Sequence, residues 1–411
     1  MNYELFIAKR IIAGKKYKNS ISSPIIKIAI SAIALGVIIM LISLATSAGL
    51  QYKIRDKIAG FKGHIQIVNY DNNNSDISTT PINIDQEFYP KFTDLNGIKN
   101  IQVFASKAGI IRTDSDFEGI IFKGISSDYD WTFFKEYLVE GSVLDFNQPR
   151  TKEILLSKTL TDRLKLKLND TILATFIKNK FSKLPSNRKY VIAGIYSTGF
   201  LQFDKAMMIG DIREVQKLNK WSENEVGGFE VLIDNFDEIN EKGLEVYKAI
   251  PSTLNSKTLV DTYSNIFDWI ELFDNNVWFI IVIMITIAGI NMITALLVLI
   301  LERVQMIGIL KVLGSYNKSI RKIFLYNATY LILKGLFWGN LIGLLIIGLQ
   351  HFFKIITLNP ETYYVTTMPV YLSFTTIILM NLGILVTCYI MLLLPSLIVS
   401  KIRPSKSIKF A

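Results

Sequence analysis

The stretch VWFIIVIMITIAGINMITALLVLIL, residues Val277 to Leu301, runs for 25 positions without a charge. As a helix it exceeds the ~20 residues needed to cross a hydrocarbon core about 30 Å thick. It is followed at once by Glu302-Arg303-Val304-Gln305-Met306-Ile307-Gly308-Ile309-Leu310-Lys311-Val312-Leu313-Gly314-Ser315. Apolar residues at 306, 309, 310 and 313 predict a short helix with one apolar face, because those positions recur on one side of a 3.6-residue period. Gly314 is the expected stop, since glycine takes the left-handed conformation that ends helices at little steric cost.

Working outward, two further apolar runs match the first. Ile28 to Leu50 has 23 uncharged residues and Met368 to Ser400 has 33. A fourth, Ile323 to Phe353, is interrupted by Lys334. Half of the 411 residues are hydrophobic and the mean hydropathy is +0.33, values that exclude an ordinary soluble protein. The expected fold is therefore a multi-pass α-helical membrane protein with four transmembrane helices and a large mixed α+β extracytoplasmic domain between the first and second. The expected division is 1–27 basic interfacial helix, 28–50 first span, 51–276 outer domain, 277–301 second span and 302–322 short helix and loop. It continues with 323–353 third span, 354–367 outer loop, 368–400 fourth span and 401–411 tail. The retained first span is preferred to a cleaved signal peptide because its run is too long for a signal core.

Charge sets the expected orientation. Residues 1–27, 302–322 and 401–411 together carry 15 Lys and Arg against Glu4 and Glu302. Segment 51–276 carries 28 Lys and Arg against 32 Asp and Glu. Positive residues concentrate on the cytoplasmic side, so both termini and the short helix are expected in the cytoplasm. The net charge of +10 reports membrane orientation, and no nucleic-acid partner is read from it. The tail before Lys27 mixes apolar and basic residues in the manner of a helix lying on membrane lipid.

In the outer segment, strands are expected at 64–68, 98–112, 117–124, 154–157, 171–177, 190–196, 206–209 and 229–233. Helices are expected at 87–95, 159–166, 212–218 and 237–249. A helix from Asp261 to Asn276 should run into the second span, with Phe267, Trp269 and Phe273 near the interface where aromatic rings are favoured. In the third span Gly335, Gly339 and Gly343 allow a helix to approach closely, either within the chain or between subunits. Lys334 is read either as a charge inside the bilayer that needs a partner or as an interfacial anchor.

Reaction chemistry has few candidates. There is no G-x-x-x-x-G-K-[ST] phosphate loop, no H-E-x-x-H, and only His64 and His351 as histidines. Cys388 is the single cysteine, so no internal disulfide is available. A chain with this layout is expected to move, hold or relay something, with no catalytic residue, metal or cofactor of its own.

Residues 302–315 resemble the signature of FtsX-like ABC permeases, E-R-x-x-E-I-G-[IV]-L-[KR]-A-[LI]-G-[AS], with Met306 at the second Glu and Val312 at the Ala. Pro395-Ser396 and Lys401 to Ile408 resemble the closing pattern of the same superfamily. Glu140-Gly141, Ile154 to Ser157 and Leu166 to Ile172 are similar to the MacB-type periplasmic core, with Asn169 where a turn glycine stands. Leu5 to Arg10 and Gly49 to Gly63 are most similar to the lipoprotein-releasing permeases.

The resemblance implies a permease subunit of the bacterial inner membrane that binds no cofactor itself, ATP and Mg belonging to a cytoplasmic ABC ATPase dimer. Glu302, Arg303, Ile307, Gly308, Ile309, Leu310, Lys311, Leu313 and Gly314 would form the coupling helix against that ATPase. A second permease subunit, identical or paralogous, a periplasmic lipoprotein chaperone and lipoprotein substrates complete the implied partners. Acyl chains would enter between the first and second spans, near Met40, Leu44, Phe267, Trp269 and Phe273. The basic loop between 176 and 190, with Lys178, Lys180, Lys183, Pro185, Arg188 and Lys189, lies where the family recruits its chaperone; a plain solvated hairpin is the other reading. Two alternatives share the architecture: MacB-like efflux, and mechanical control of a periplasmic cell-wall hydrolase.

Overall fold

The structure, a computed structural model, describes residues 3–13, 22–72, 76–114, 116–146, 151–176 and 185–402. In chain order, α1 (Tyr3–Ala13) and α2 (Ser22–Lys62) precede β1 (Ile65–Asn69), β2 (Ile82–Asn83), β3 (Ile98–Arg112) and β4 (Phe117–Ile125). There follow α3 (Thr132–Tyr137), β5 (Leu138–Gly141), β6 (Glu153–Ser157), α4 (Lys158–Leu164), β7 (Thr171–Phe176) and β8 (Ser186–Tyr196). Next come α5 (Leu201–Asp204), β9 (Met207–Asp211), α6 (Ile212–Asn219), β10 (Glu225–Val226), β11 (Gly228–Ile233), α7 (Ile239–Ala249), β12 (Leu254–Thr258) and α8 (Leu259–Thr262). The last described elements are α9 (Ser264–Glu302), α10 (Val304–Val312), α11 (Asn317–Phe353), α12 (Pro360–Tyr363), α13 (Phe374–Ser396) and α14 (Ile398–Lys401).

Two compact units result. A helical unit comprises Met1–Gln51, Ile270–Ile356 and Thr367–Ala411; a lobe comprises Tyr52–Trp269 and Thr357–Thr366. Among the described residues four helices are long and apolar enough to cross a membrane, one each in the α2, α9, α11 and α13 regions. α2 and α9 are continuous well past their apolar runs, so each contributes its far end to the lobe.

The lobe is built on a ten-stranded sheet in the order β12-β1-β11-β3-β4-β9-β6-β8-β5, with β7 pairing both β3 and β8. The pairings β3–β4–β9–β6–β8–β7–β3 therefore return to their start. Closure leaves no free edge along that circuit. Phe122, Phe176 and Tyr190 pack with one another, ring centroids 5.3–6.3 Å apart. Asn169 holds φ 68° in the turn before β7, the left-handed conformation that asparagine tolerates.

The helix expected at 87–95 is absent, and that stretch forms turns. Pro90 lacks the N–H that a helix interior needs. Phe88 and Phe92 still bury their rings, stacked 5.4 Å apart. β8 begins at Ser186, earlier than expected, because Ser186 to Lys189 pair with Leu173 to Phe176 of β7.

A polar cluster lies buried in the lobe. Lys123 Nζ donates to both carboxylate oxygens of Glu230 at 2.7 and 2.8 Å and to the Phe61 carbonyl at 2.6 Å. Gln102 Nε2 donates to Glu230 at 2.9 Å. The Tyr129 hydroxyl donates to the Gly60 carbonyl at 2.8 Å. Lys123 and Tyr129 thereby satisfy last-turn carbonyls of α2, which have no partner within the helix. Burial pulls the Lys123 pKa down while Glu230 opposes the shift.

The loop expected at 354–367 belongs in part to the lobe. Tyr364, in the left-handed region at φ 59°, stacks on Phe200 at 5.0 Å and meets Trp269 edge-on at 5.7 Å. Its carbonyl accepts from Lys57 Nζ at 3.1 Å.

Candidate coupling helix and helix-packing seam

α9 ends at Glu302, and Arg303, at φ −105° and ψ 19°, turns the chain before α10 begins. The far end of α10 closes with two backbone bonds, Ser315 N to Leu310 O at 2.9 Å and Gly314 N to Lys311 O at 3.1 Å. With Gly314 at φ 87°, this is the Schellman arrangement that satisfies orphan carbonyls at a helix end.

The single apolar face expected at 306, 309, 310 and 313 is divided by the fold. Ile307 (0% exposed) and Leu310 (9%) enter the core of the helical unit, with Gly308 buried and Met306 packed against them. Ile309 (52%), Val312 (65%) and Leu313 (76%) form a second, exposed face, and Tyr316 (82%), beyond the Gly314 turn and capping α11, is exposed as well. The correction follows from period: 309, 312 and 313 share the i, i+3, i+4 spacing on the side of α10 turned away from 307 and 310. Glu302 is exposed and Arg303 half-buried. The Tyr3 hydroxyl of α1 lies 3.3 Å from Ser315 Oγ, while Ala8 and Ile11 of α1 join the helical core.

Lys311 has an assignment that sequence reasoning missed. Its ammonium donates to the carbonyls of Val399 at 2.9 Å, Ile402 at 2.7 Å and Ser400 at 3.4 Å. Partial burial lowers its pKa. Near it, Arg321 Nε donates to Ser396 Oγ at 3.2 Å.

Gly335, Gly339 and Gly343 face α2 within the same chain. A Cβ at these positions would lie 2.6 Å from Ile33 Cγ2, 2.6 Å from Val37 Cβ and 2.9 Å from Leu41 Cδ1. Both helices advance by four residues per contact, so the ridge of one seats in the groove of the other. The pairing also places Lys334 level with residue 32, about 6 Å beyond Ile28 at 1.5 Å per residue. Lys334 itself is exposed. Lys334 Nζ also lies 4.7 Å from the Tyr330 ring centroid.

A second seam was not anticipated. Asn340 of α11 and Asn381 of α13 exchange amide hydrogen bonds at 2.7 and 3.0 Å. Each amide also donates to the carbonyl four residues before it, at 2.7 and 2.8 Å. The signal was an Asn in each of two apolar runs, since a polar amide in hydrocarbon needs a partner.

The remaining expected residues are dispersed. Met40 (1% exposed) lies in the helical core. Leu44 is half-buried, as is Phe273. Phe267 and Trp269 belong to the lobe, where Phe267 stacks on Phe236 at 5.9 Å. Arg188 and Lys189 are not loop residues: they are rungs of β8 opposite Ala174 and Leu173. Pro185 is exposed just before that strand. Lys178, Lys180 and Lys183 lie outside the described residues, as does the tail beyond Ile402. Among the described residues no group of three or more His, Cys, Asp or Glu side chains is placed to hold a metal ion.

The exposed face of α10 and the glycine seam of α11 occupy one continuous segment of sequence. Residues 278–404 match the FtsX-like permease C-terminal family. The FtsX-like segment thus includes α10, the seam and the carbonyls that hold Lys311. Over nearly its full length the chain is similar to the lipoprotein-releasing system transmembrane protein LolC of Neisseria meningitidis, at 22% identity over 99% of each chain. It is also similar to the lipoprotein-releasing system transmembrane protein LolE of Haemophilus influenzae, at 20% identity over 99% of each. The periplasmic region of MacB from Actinobacillus actinomycetemcomitans is similar at 17% identity over 51% of this chain and 95% of that one, with a TM-score of 0.35. A score that low does not establish a shared fold.

Proposed function

We propose that this chain is the permease subunit of an inner-membrane ABC transporter, driven by a separate cytoplasmic ATPase that docks on α10, and that its cargo is lipidated protein. The observation that carries the docking is the exposed apolar face Ile309, Val312 and Leu313, with exposed Tyr316 just past the helix end, on a helix whose opposite face is locked into the helical core. A helix fixed on one side and apolar on the other fits a groove in a partner. ATP and Mg would belong to that ATPase, since this chain has no phosphate-loop motif. The basic segments 1–27, 302–322 and 401–411 put α10 and both termini in the cytoplasm by the positive-inside rule. The lobe then faces the periplasm.

ATP-driven movement of the partner would push α10, and the continuous helix α9 would carry the push toward the lobe. At 39 residues, α9 is about 58 Å long, and its backbone hydrogen bonds make it a stiff strut. The lipoprotein cargo rests on similarity to LolC and LolE. A second permease copy or paralogue and a periplasmic chaperone belong to the same reading.

Co-purification tests the docking. Leu313→Asp with Ile309→Asp should remove the ATPase from the purified full-length chain by at least about ten-fold, as expected for loss of a central apolar anchor. Both side chains are exposed, so the chain itself should remain folded. Retention of the ATPase by this variant would sink the docking face. Depleting the chain in cells should leave mature lipoproteins in the inner-membrane fraction; unchanged sorting would remove the cargo assignment and leave the docking standing.

A further inference from the structure

Lys311 lies in the segment proposed to meet the ATPase, yet its ammonium is already committed. An ammonium has three N–H donors and no acceptor, and three carbonyls lie within reach, those of Val399, Ser400 and Ile402. Those carbonyls end the fourth long helical region: α13 contains Pro395, a short turn follows at Leu397, and α14 runs only from Ile398 to Lys401. The final carbonyls of a helix lack partners within it, and a cation there also meets the negative end of the helix dipole. Val399 is fully buried in the helical core, and Ile402 packs against it, so the acceptors are held in place.

We propose that Lys311 is a positioning residue, which ties the coupling helix α10 to the 398–402 segment so that a push on α10 moves the end of the fourth helix with it. The proposal rests on the docking reading above, and it reassigns Lys311 from partner contact to internal link. The partner-facing residues are then Ile309, Val312 and Leu313 of α10 with Tyr316 beyond its end, and Lys311 converts their displacement into movement of a second span.

The test uses the full chain with its co-purifying ATPase in lipid nanodiscs, spin-labelled at Gln305→Cys, one turn before Ile309 on α10, and at Leu397→Cys, both exposed. The spin–spin distance distribution should be narrow and should stay narrow when ATP and vanadate trap the ATPase. Lys311→Met should broaden it and make it shift on trapping, while ATPase co-purification stays within about two-fold of the unsubstituted chain, as expected when no interface contact is lost. Lys311→Arg, which retains the donors, should restore part of the narrow distribution. A narrow distribution in Lys311→Met with the ATPase retained would remove the tie. Loss of co-purification by about ten-fold in Lys311→Met, with the distribution unchanged, would make Lys311 a partner contact after all. If the unsubstituted chain retains no ATPase, the coupling role falls together with the docking reading.

Discussion

Lys123 in the lobe and Lys311 in the helical unit both place an ammonium on helix-end carbonyls, but in opposite settings. Lys123 is almost wholly buried and shares its charge with Glu230, which is itself fully buried. Lys311 is half-exposed, and its described partners are neutral carbonyls. A buried charge pair is costly to break because the surviving partner is stranded, whereas water can replace a half-exposed ammonium at carbonyls. The first arrangement suits a joint that never opens, the second a link that carries movement. The contrast extends to the units: the lobe is locked by a charged cluster, and the helical unit by close approach of small residues and an asparagine pair.

The most damaging way to break the lobe side is Lys123→Met. It leaves Glu230 buried without its cation and should cost about 3–5 kcal/mol. Hydrogen exchange on the full chain should report this as lost protection across β1, β3, β4 and β11. Adding Glu230→Leu should restore much of it, because a well-packed apolar pair of similar volume is tolerated where half a pair is not. Protection unchanged in the single variant would mean that the cluster does not hold the sheet.

Acid sharpens the same side. His64 Nδ1 accepts the Ile233 N–H at 3.0 Å, and burial, followed by the Lys99 charge, pushes the imidazole down to about 4. The folded lobe resists protonation, while the unfolded chain takes up a proton near the ordinary value of about 6.5. His64 therefore contributes nothing unfavourable above that pH. Stability falls as the pH drops below it, and the loss is complete near 4. The loss from this residue is at most about 3 kcal/mol, measured as the pH dependence of lobe melting and abolished in His64→Gln. A His64→Gln variant with the same acid slope would assign the loss to other groups.

On the helical side, Gly339→Val should push α11 off α2. Its Cβ would fall 2.6 Å from Val37 Cβ and 2.9 Å from the Ala34 carbonyl, and overpacking of this kind costs about 2 kcal/mol. Gly348→Ala is the control, with nothing within 4 Å of the added Cβ. Thermal unfolding in detergent separates the two, and equal melting would show that the seam is loose. The smallest expected effect is Asn340→Leu, which strands the Asn381 amide and should cost about 1 kcal/mol without touching the lobe. A larger effect than that of Gly339→Val would make the asparagine pair the stronger lock of the helical unit.

Much of this was legible from residues alone. β3 occupies 98–112 as expected, because Ile98 to Arg112 is a long strand-forming run ending in a Thr-Asp-Ser-Asp turn. Ser186-Asn187-Arg188-Lys189 has no strand signature of its own, so the expected strand begins only at Tyr190; pairing to β7 makes the earlier residues strand. The helix expected at 87–95 ignored Pro90. In α10 the period was right and the face was incomplete, since four apolar side chains compatible with one stripe were divided by what packs behind them.

The sequence by itself determined the apolar runs long enough to cross a membrane, the stop at Gly314, the left-handed turn at Asn169 and the spacing of Gly335, Gly339 and Gly343. Each depends on residues within a few positions of one another, where periodicity and backbone sterics act directly. Only the tertiary structure decided that the glycines meet Ile33, Val37 and Leu41, that Asn340 finds Asn381, that Glu230 neutralises Lys123, and that Lys311 reaches Val399 and Ile402. Those partners lie 41 to more than 300 positions apart. A side chain's donors and volume are written in its type, but which carbonyl or methyl stands opposite is set by how distant helices and strands pack.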